Sequence, residues 1–196
     1  YNHTALGGWL YFSARSPEYG EELWRTDGTA EGTRMVADIW PKVRRPNPSA
    51  SPYALAGGEK KLFFVVDHGL YGSELWVSDG SADGTGLAAE VRPGSDGSAP
   101  REIVVYKDTA YFVADDGAHG EEVWRSDGLP YDTRLVFDAT PGPESSDPRD
   151  LTLGSDALYW VAMNAPDGPA LYRLRLDVAD AAPVKLEPPA NPSEGR

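Results

Sequence analysis

The chain has 196 residues, with 31 acidic against 18 basic side chains, no cysteine, 21 glycines and 17 prolines. That length suits one compact domain able to bury roughly 70% of its unfolded surface, and the lack of cysteine excludes a disulfide framework, a thiolate metal site and a cysteine nucleophile. A formal charge of −13 argues against nucleic acid and anionic membrane surfaces, whose recognition rests on Lys and Arg, and leaves cationic partners and calcium open.

No apolar run reaches the roughly 20 residues of a membrane-spanning helix, and Tyr1 opens mid-pattern without a charged and then apolar leader. The chain is therefore expected to be soluble, without membrane insertion, and a mature or trimmed product. From the N-terminus it reads as short strands. A small-residue run, TALGG, leads into the aromatic LYFSA, then ELWRT, an Asp-Gly turn signal and TRMVADI. The order returns as YALAGG, LFFVV, ELWVS and TGLAAEV, and again as EIVVY, AYFVA, EVWRS and TRLVFDA. Aromatic and β-branched residues bounded by Gly, Asp and Pro are strand composition. No window carries a helical stripe, and Gly and Pro punctuate the chain too densely for long helices.

Three units align without gaps. Trp24, Trp76 and Trp124 coincide at separations of 52 and 48 residues, and so do Asp27, Asp79 and Asp127, Gly28, Gly80 and Gly128, and Thr33, Thr85 and Thr133. A further step of 48 residues lands on Tyr172, in LYWVAMNAPDGPALYRLRLDV, where Tyr159 and Trp160 keep the aromatic positions but Arg175 and Leu176 replace Asp-Gly. This fourth unit reads as a degenerate terminal repeat. Four antiparallel strands in about 48 residues describe a propeller blade. The predicted fold is thus all-β, a four-bladed β-propeller over 1–187 with blades near 1–39, 51–91, 100–139 and 149–187, and a Pro-rich tail or linker at 188–196. The linkers WPKVRRPNPSASP, RPGSDGSAP and TPGPESSDP are expected to run from each outer strand back to the axis, with Pro41, Pro93, Pro141 and Pro189 at equivalent starts. A hydrophobic interface between the first and last blades is expected to hold the ring; a longer array cut at this point is the other arrangement the tail allows.

ELWRTDGTAEGT, ELWVSDGSADGT and EVWRSDGLPYDT resemble the ELWxxDGT repeat, a bacterial family of myxobacterial type whose proteins are often exported or surface-associated. The resemblance is strong over three units and weak over the fourth. It implies a propeller and an extracellular, periplasmic or cell-surface location, and carries no catalytic residues with it. In size four blades also resemble the hemopexin-like architecture, although the cysteine pair typical of that group is missing.

The repeated residues are explained by folding. Trp24, Trp76, Trp124 and Tyr172 are expected to pack one blade against the next, each ring burying roughly 150–250 Å². Asp27, Asp79 and Asp127 are expected to bond backbone amides in the hairpin turn, with Gly28, Gly80 and Gly128 at positive φ and Thr33, Thr85 and Thr133 completing the loop. Calcium is the one cofactor the sequence leaves open. Its candidate ligands are Asp115 and Asp116 in the unrepeated acidic loop ADDGAHGEE, or a ring of carbonyls at the central channel, which the resemblance to hemopexin-like propellers places at Ala5, Ala54, Ile103 and Thr152. His3, His68 and His119 have no partner at HExxH spacing, and no GxSxG or SxxK pattern occurs.

The leading expectation is a non-catalytic exported binding module that recognises a protein or glycan through one loop face. Two other functions stand beside it. One is a hydrolase or lyase using carboxylates near the central channel, which requires two acids in one pocket. The other is a calcium-stabilised structural module of a larger surface protein. Edge strands of an unclosed ring would also favour self-association.

Overall fold

The computed structural model describes residues 3–40 and 49–187. Pro41, Pro189 and the tail 188–196 lie outside the described residues. The strands in chain order are β1 His3–Leu6, β2 Trp9–Ser16, β3 Gly20–Thr26, β4 Arg34–Ala37, β5 Tyr53–Gly57, β6 Leu62–His68, β7 Gly72–Ser78 and β8 Gly86–Ala89. They continue with β9 Arg101–Tyr106, β10 Thr109–Asp115, β11 Glu121–Ser126, β12 Arg134–Phe137, β13 Pro148–Leu153, β14 Ala157–Ala162, β15 Ala170–Arg175 and β16 Val184–Leu186. Consecutive strands form four separate four-stranded antiparallel sheets, here sheet I (β1–β4), II (β5–β8), III (β9–β12) and IV (β13–β16). One 3₁₀ turn, Pro130–Asp132, is the only helical element among the described residues.

Period-two alternation gives every sheet two apolar faces. Phe12 pairs with Trp24, Phe64 with Trp76, Phe112 with Trp124 and Trp160 with Tyr172 on equivalent faces, called the front here, which in sheets II to IV turn toward the preceding unit. The rear faces carry Tyr11 and Leu23, Phe63 and Leu75, Tyr111 and Val123, and Tyr159 and Leu171, in the intervening positions. The core consists of the layers where rear meets front. Tyr11 and Leu23 meet Phe64 and Trp76 between sheets I and II. Phe63 and Leu75 meet Phe112 and Trp124 between II and III, and Tyr111 and Val123 meet Trp160 and Tyr172 between III and IV.

The first strand of each sheet lies along the shared inner edge, β1 beside β5, β5 beside β9 and β9 beside β13. In sheets II, III and IV this strand bulges next to a left-handed residue, Ala54, Glu102 and Asp150, with φ of 53°, 53° and 59°. The arrangement is propeller-like and open. Leu10 on the front of sheet I and Leu171 on the rear of sheet IV are each 42% exposed, whereas their counterparts Leu62, Leu158, Leu23 and Leu75 are fully buried. The expected first-to-last hydrophobic interface is therefore not formed by the described residues. Each sheet carries large rings on both faces.

Candidate functional site

The repeated Asp-Gly loops are built from side-chain caps. In sheet I, Asp27 Oδ1 accepts from the Thr29 amide at 2.9 Å and its hydroxyl at 2.7 Å, while Thr33 Oγ1 donates to the Thr29 carbonyl at 2.6 Å and pairs with Thr26 Oγ1 at 2.7 Å. Sheet II repeats this with Asp79, Ser81, Thr85 and Ser78. Gly28, Gly80 and Gly128 hold φ of 94°, 88° and 88°, a region that costs glycine little. Hydrogen bonds from Thr29 and from Ser81 hold the Asp27 and Asp79 carboxyls below their ordinary range. Sheet III departs from the pattern. Leu129 and Asp132 stand where the other loops have a hydroxyl residue and Gly32 or Gly84, and a Cβ on either glycine would sit about 2 Å from the aspartate carboxylate. Asp127 accordingly turns away and accepts from Thr109 Oγ1 at 2.6 Å and Arg125 Nη2 at 3.1 Å. Thr133 still bonds Ser126 Oγ at 2.7 Å.

Trp76 and Tyr172 are buried in the layers between sheets, and Trp124 packs partly buried against the layer between II and III. Trp24 differs: it lies half-buried on the uncovered front of sheet I.

A second repeated device uses Glu22, Glu74 and Glu122, which are fully buried. Each sits on the front face beside the tryptophan and ties the linker leaving its own unit to the start of the next. Glu22 accepts from the amides of Ile39 at 3.0 Å and Ala50 at 3.3 Å. Glu74 accepts from the amides of Arg92 at 3.0 Å and Val91 at 3.3 Å and from Ser98 Oγ at 2.5 Å. Glu122 accepts from the Ser146 amide at 2.9 Å, Ser146 Oγ at 2.6 Å and the Ala139 amide at 3.4 Å. Burial pushes Glu22 and Glu122 up to about 7 and raises Glu74, against amide and hydroxyl bonds that favour the charged form. Glu22 and Glu74 were not among the sequence candidates, and Glu122 entered only as part of the acidic loop ADDGAHGEE, whose acids were read as unrepeated. The signal was present: an acid repeated three times at a position whose strand neighbours on the same face are apolar. In sheet IV the place belongs to Ala170.

The candidate calcium ligands are engaged by protein groups. Asp115 accepts from Arg92 Nη1 at 3.1 Å and the Gly117 amide at 2.7 Å. Asp116 accepts from the amides of Ala118 and His119 and pairs with His119 Nδ1 at 2.7 Å. Burial opposes ionisation of Asp116, but those bonds outweigh it and lower its pKa, while the Asp116 carboxylate raises that of His119. Among the described residues no three His, Asp or Glu side chains converge in a way that could hold an ion. Nor do Ala5, Ala54, Ile103 and Thr152 form one layer. The residues opposite the equivalent aromatics Tyr11, Phe63, Tyr111 and Tyr159 are Thr4, Ala56, Val104 and Thr152, each seven positions before its aromatic, whereas Ala5, Ala54, Ile103 and Thr152 precede theirs by six, nine, eight and seven and so lie at different heights.

The structure brings together a different group, between sheets III and IV. In the equivalent place between I and II, Arg25 Nη1 donates to the Gly80 carbonyl at 2.8 Å, and a Cβ on Gly80 would strike the Tyr11 hydroxyl. The loops of sheets II and III thus cover the rear face of the preceding sheet, Gly80 against Tyr11 and Gly128 against Val77. Sheet IV has no Asp-Gly loop, and Leu176 stands in the glycine's register. A cleft of about 240 Å³ opens there, bordered by Lys107, Tyr111, Arg125, Arg134, Leu176 and Asp180. Arg125 turns to Asp127, leaving its Nε enclosed without an acceptor, and Arg134 reaches Asp180 only at 3.8 Å. A cationic cleft in a chain of charge −13 suits an anionic group. The cleft beside β15 and β16 does contain two acids, Asp167 and Glu187, both exposed and both facing Lys185 Nζ, at 3.5 and 3.7 Å.

Neither a protein family nor a curated protein matches the sequence. Among solved structures, an acylaminoacyl peptidase of Pyrococcus horikoshii is similar over 95% of this chain and 27% of its own, with TM-score 0.54 at 12% identity. A structure from a study of two prolyl endopeptidases is similar over 95% of this chain and 26% of its own, with TM-score 0.54 at 13% identity. The chain spans about a quarter of the length of these proteins, and the likeness is one of fold. Fold and site together define an all-β, propeller-like class of protein with a cationic cleft between two of its sheets.

Proposed function

We propose that the chain forms four blades of a β-propeller and is a non-catalytic binding module, exported to the periplasm, cell surface or medium of a bacterium. In this reading it takes a protein or glycan partner through the loop face that bears the cleft between sheets III and IV. The observation that carries it is the pair Arg125 and Arg134 bordering a cleft that the missing fourth Asp-Gly loop leaves open. The partner presents a carboxylate or sulfate there. The location rests on the resemblance of the three motifs to the ELWxxDGT repeat. Against an enzymatic reading, the carboxyls with raised pKa are committed to linker amides, and Asp167 and Glu187 are exposed around a lysine.

Binding of the purified chain to uronate-bearing or sulfated oligosaccharides and to Asp- and Glu-rich peptides tests this. Arg125→Ala and Arg134→Ala should each weaken binding about tenfold, the scale of one lost charge-assisted hydrogen bond, without lowering the melting temperature by more than a few degrees. Saturable turnover of an ester, glycoside or peptide substrate that a single carboxylate substitution abolishes would refute it.

A further inference from the structure

The two ends of the stack are apolar faces of opposite kind. The front of sheet I presents Leu10, Phe12 and Trp24, in register with the residues that sheets II, III and IV bury against the rear of the sheet before them. The rear of sheet IV presents Tyr159, Val161 and Leu171, in register with Phe63, Val65 and Leu75, which are fully buried against sheet III. Leu10 and Leu171 are 42% exposed, and Val184 on β16, opposite Arg173 on the same rear face, is exposed as well. The faces do not cover each other within one molecule, yet the molecule contains three worked examples of such a front seated on such a rear.

We propose that the occupant of each open face is a second copy of this chain, docked front to rear, so that sheet I of one copy continues the stack from sheet IV of the next. The contact repeats the internal layers: Leu10, Phe12 and Trp24 of one copy take toward Tyr159, Val161 and Leu171 of the other the places that Leu62, Phe64 and Trp76 take toward Tyr11, Ser13 and Leu23. Such an interface is heterologous. Two copies close a ring if the rotation per sheet permits it, and otherwise the stack grows with concentration. The proposal does not depend on the ligand site, which lies between sheets III and IV.

Light scattering on the 196-residue chain, from 1 to 200 µM, should show a mass of twice 21.2 kDa or more. Leu10→Arg and Leu171→Arg should each reduce it to the single-chain value, since each blocks one member of every interface. Their equimolar mixture should recover a heterodimer through the one intact front and the one intact rear. The absence of cysteine gives an independent readout that needs no disruptive change. Leu10→Cys mixed with Leu171→Cys should be joined by a short bis-maleimide, and each variant alone should not. A wild-type chain that stays single at 200 µM overturns the proposal, as does cross-linking of Leu10→Cys to itself at the efficiency of the mixture. Loss of the ligand site through Arg125→Ala should leave the mass unchanged.

Discussion

Sheets I to III and sheet IV share one topology and one packing code and differ in the linker and loop devices built on them. Sheet IV keeps Trp160 and Tyr172 on its front, stacked with ring centroids 5.6 Å apart, and buries both against sheet III. It lacks the linker-binding glutamate, where Ala170 stands, and the capped loop, where Arg175 pairs with Asp177 at 2.6 Å instead. The difference separates two functions within one motif. Ring residues hold a sheet to its predecessor and persist wherever a predecessor exists. The glutamate holds the linker leading to a successor, and the Asp-Gly loop covers the rear of the sheet before it. Where that loop is missing, the cleft appears.

The largest expected effect tests the packing side. Leu75→Ala removes a fully buried side chain between sheets II and III and should cost about 3 kcal/mol in urea unfolding, within the range of buried Leu→Ala substitutions. Leu171→Ala, at the equivalent but exposed place in sheet IV, should cost less than about 1 kcal/mol at concentrations where the chain is monomeric. Equal losses would mean that the rear of sheet IV is covered within one molecule. Next in size, Glu122→Ala strips the acceptors from two amides and the Ser146 hydroxyl and should cost about 2–3 kcal/mol. Thermal melts then fall by roughly 2–4 °C for each kcal/mol at this chain length.

The same glutamates give a pH dependence with a definite sign. A carboxyl whose folded pKa is about 7 against an ordinary 4.5 keeps its proton in the folded state while the unfolded chain has released it. The stability contribution of Glu22 and Glu122 is therefore complete below about pH 4.5 and is lost as pH rises through 7. Unfolding free energy should decline over that window by roughly 2 kcal/mol or more per glutamate. In Glu122→Gln the decline should be shallower, because one of the titrating groups is gone. A stability that rises from pH 5 to 8 would show that these side chains are ionised throughout and held so by their amide donors.

The four-strand units were legible because alternation, turn residues and period all pointed the same way. Ring closure was not legible, since an apolar face reads the same whether a neighbour covers it or not; only the exposure of Leu10 and Leu171 distinguishes the two. The axial layer was misplaced although the sequence marks it: Thr4, Ala56, Val104 and Thr152 each stand seven residues before the aromatic they pair with, and the bulges beside Ala54, Glu102 and Asp150 lie farther from the hairpin turn than those pairs. The cleft was hidden in a different way. Arg125 lies in VWRSD as Arg25 lies in the similar LWRTD, and what sets it apart is a loop missing about 50 residues later, on another sheet.

The smallest effect probes how sheet III departs from I and II. Gly84→Ala would bring a Cβ within 2.1 Å of Asp79 Oδ1. Only the end of a side chain has to move, so the cost should be about 1 kcal/mol, the two bonds from Ser81 being the chief loss. Sheet III already shows a non-glycine residue, Asp132, at this place, with its aspartate turned toward an arginine and a threonine. In sheet II the corresponding positions are Val77 and Lys61, so a displaced Asp79 has no guanidinium waiting on its own strand. Its carboxyl, now held below the ordinary range by Ser81, should rise toward that range in an NMR titration, while Asp27 in the unaltered loop of sheet I stays low. An Asp79 pKa that remains low in Gly84→Ala would mean that the loop can widen without releasing the cap, and that Asp132 is not what turned Asp127 away.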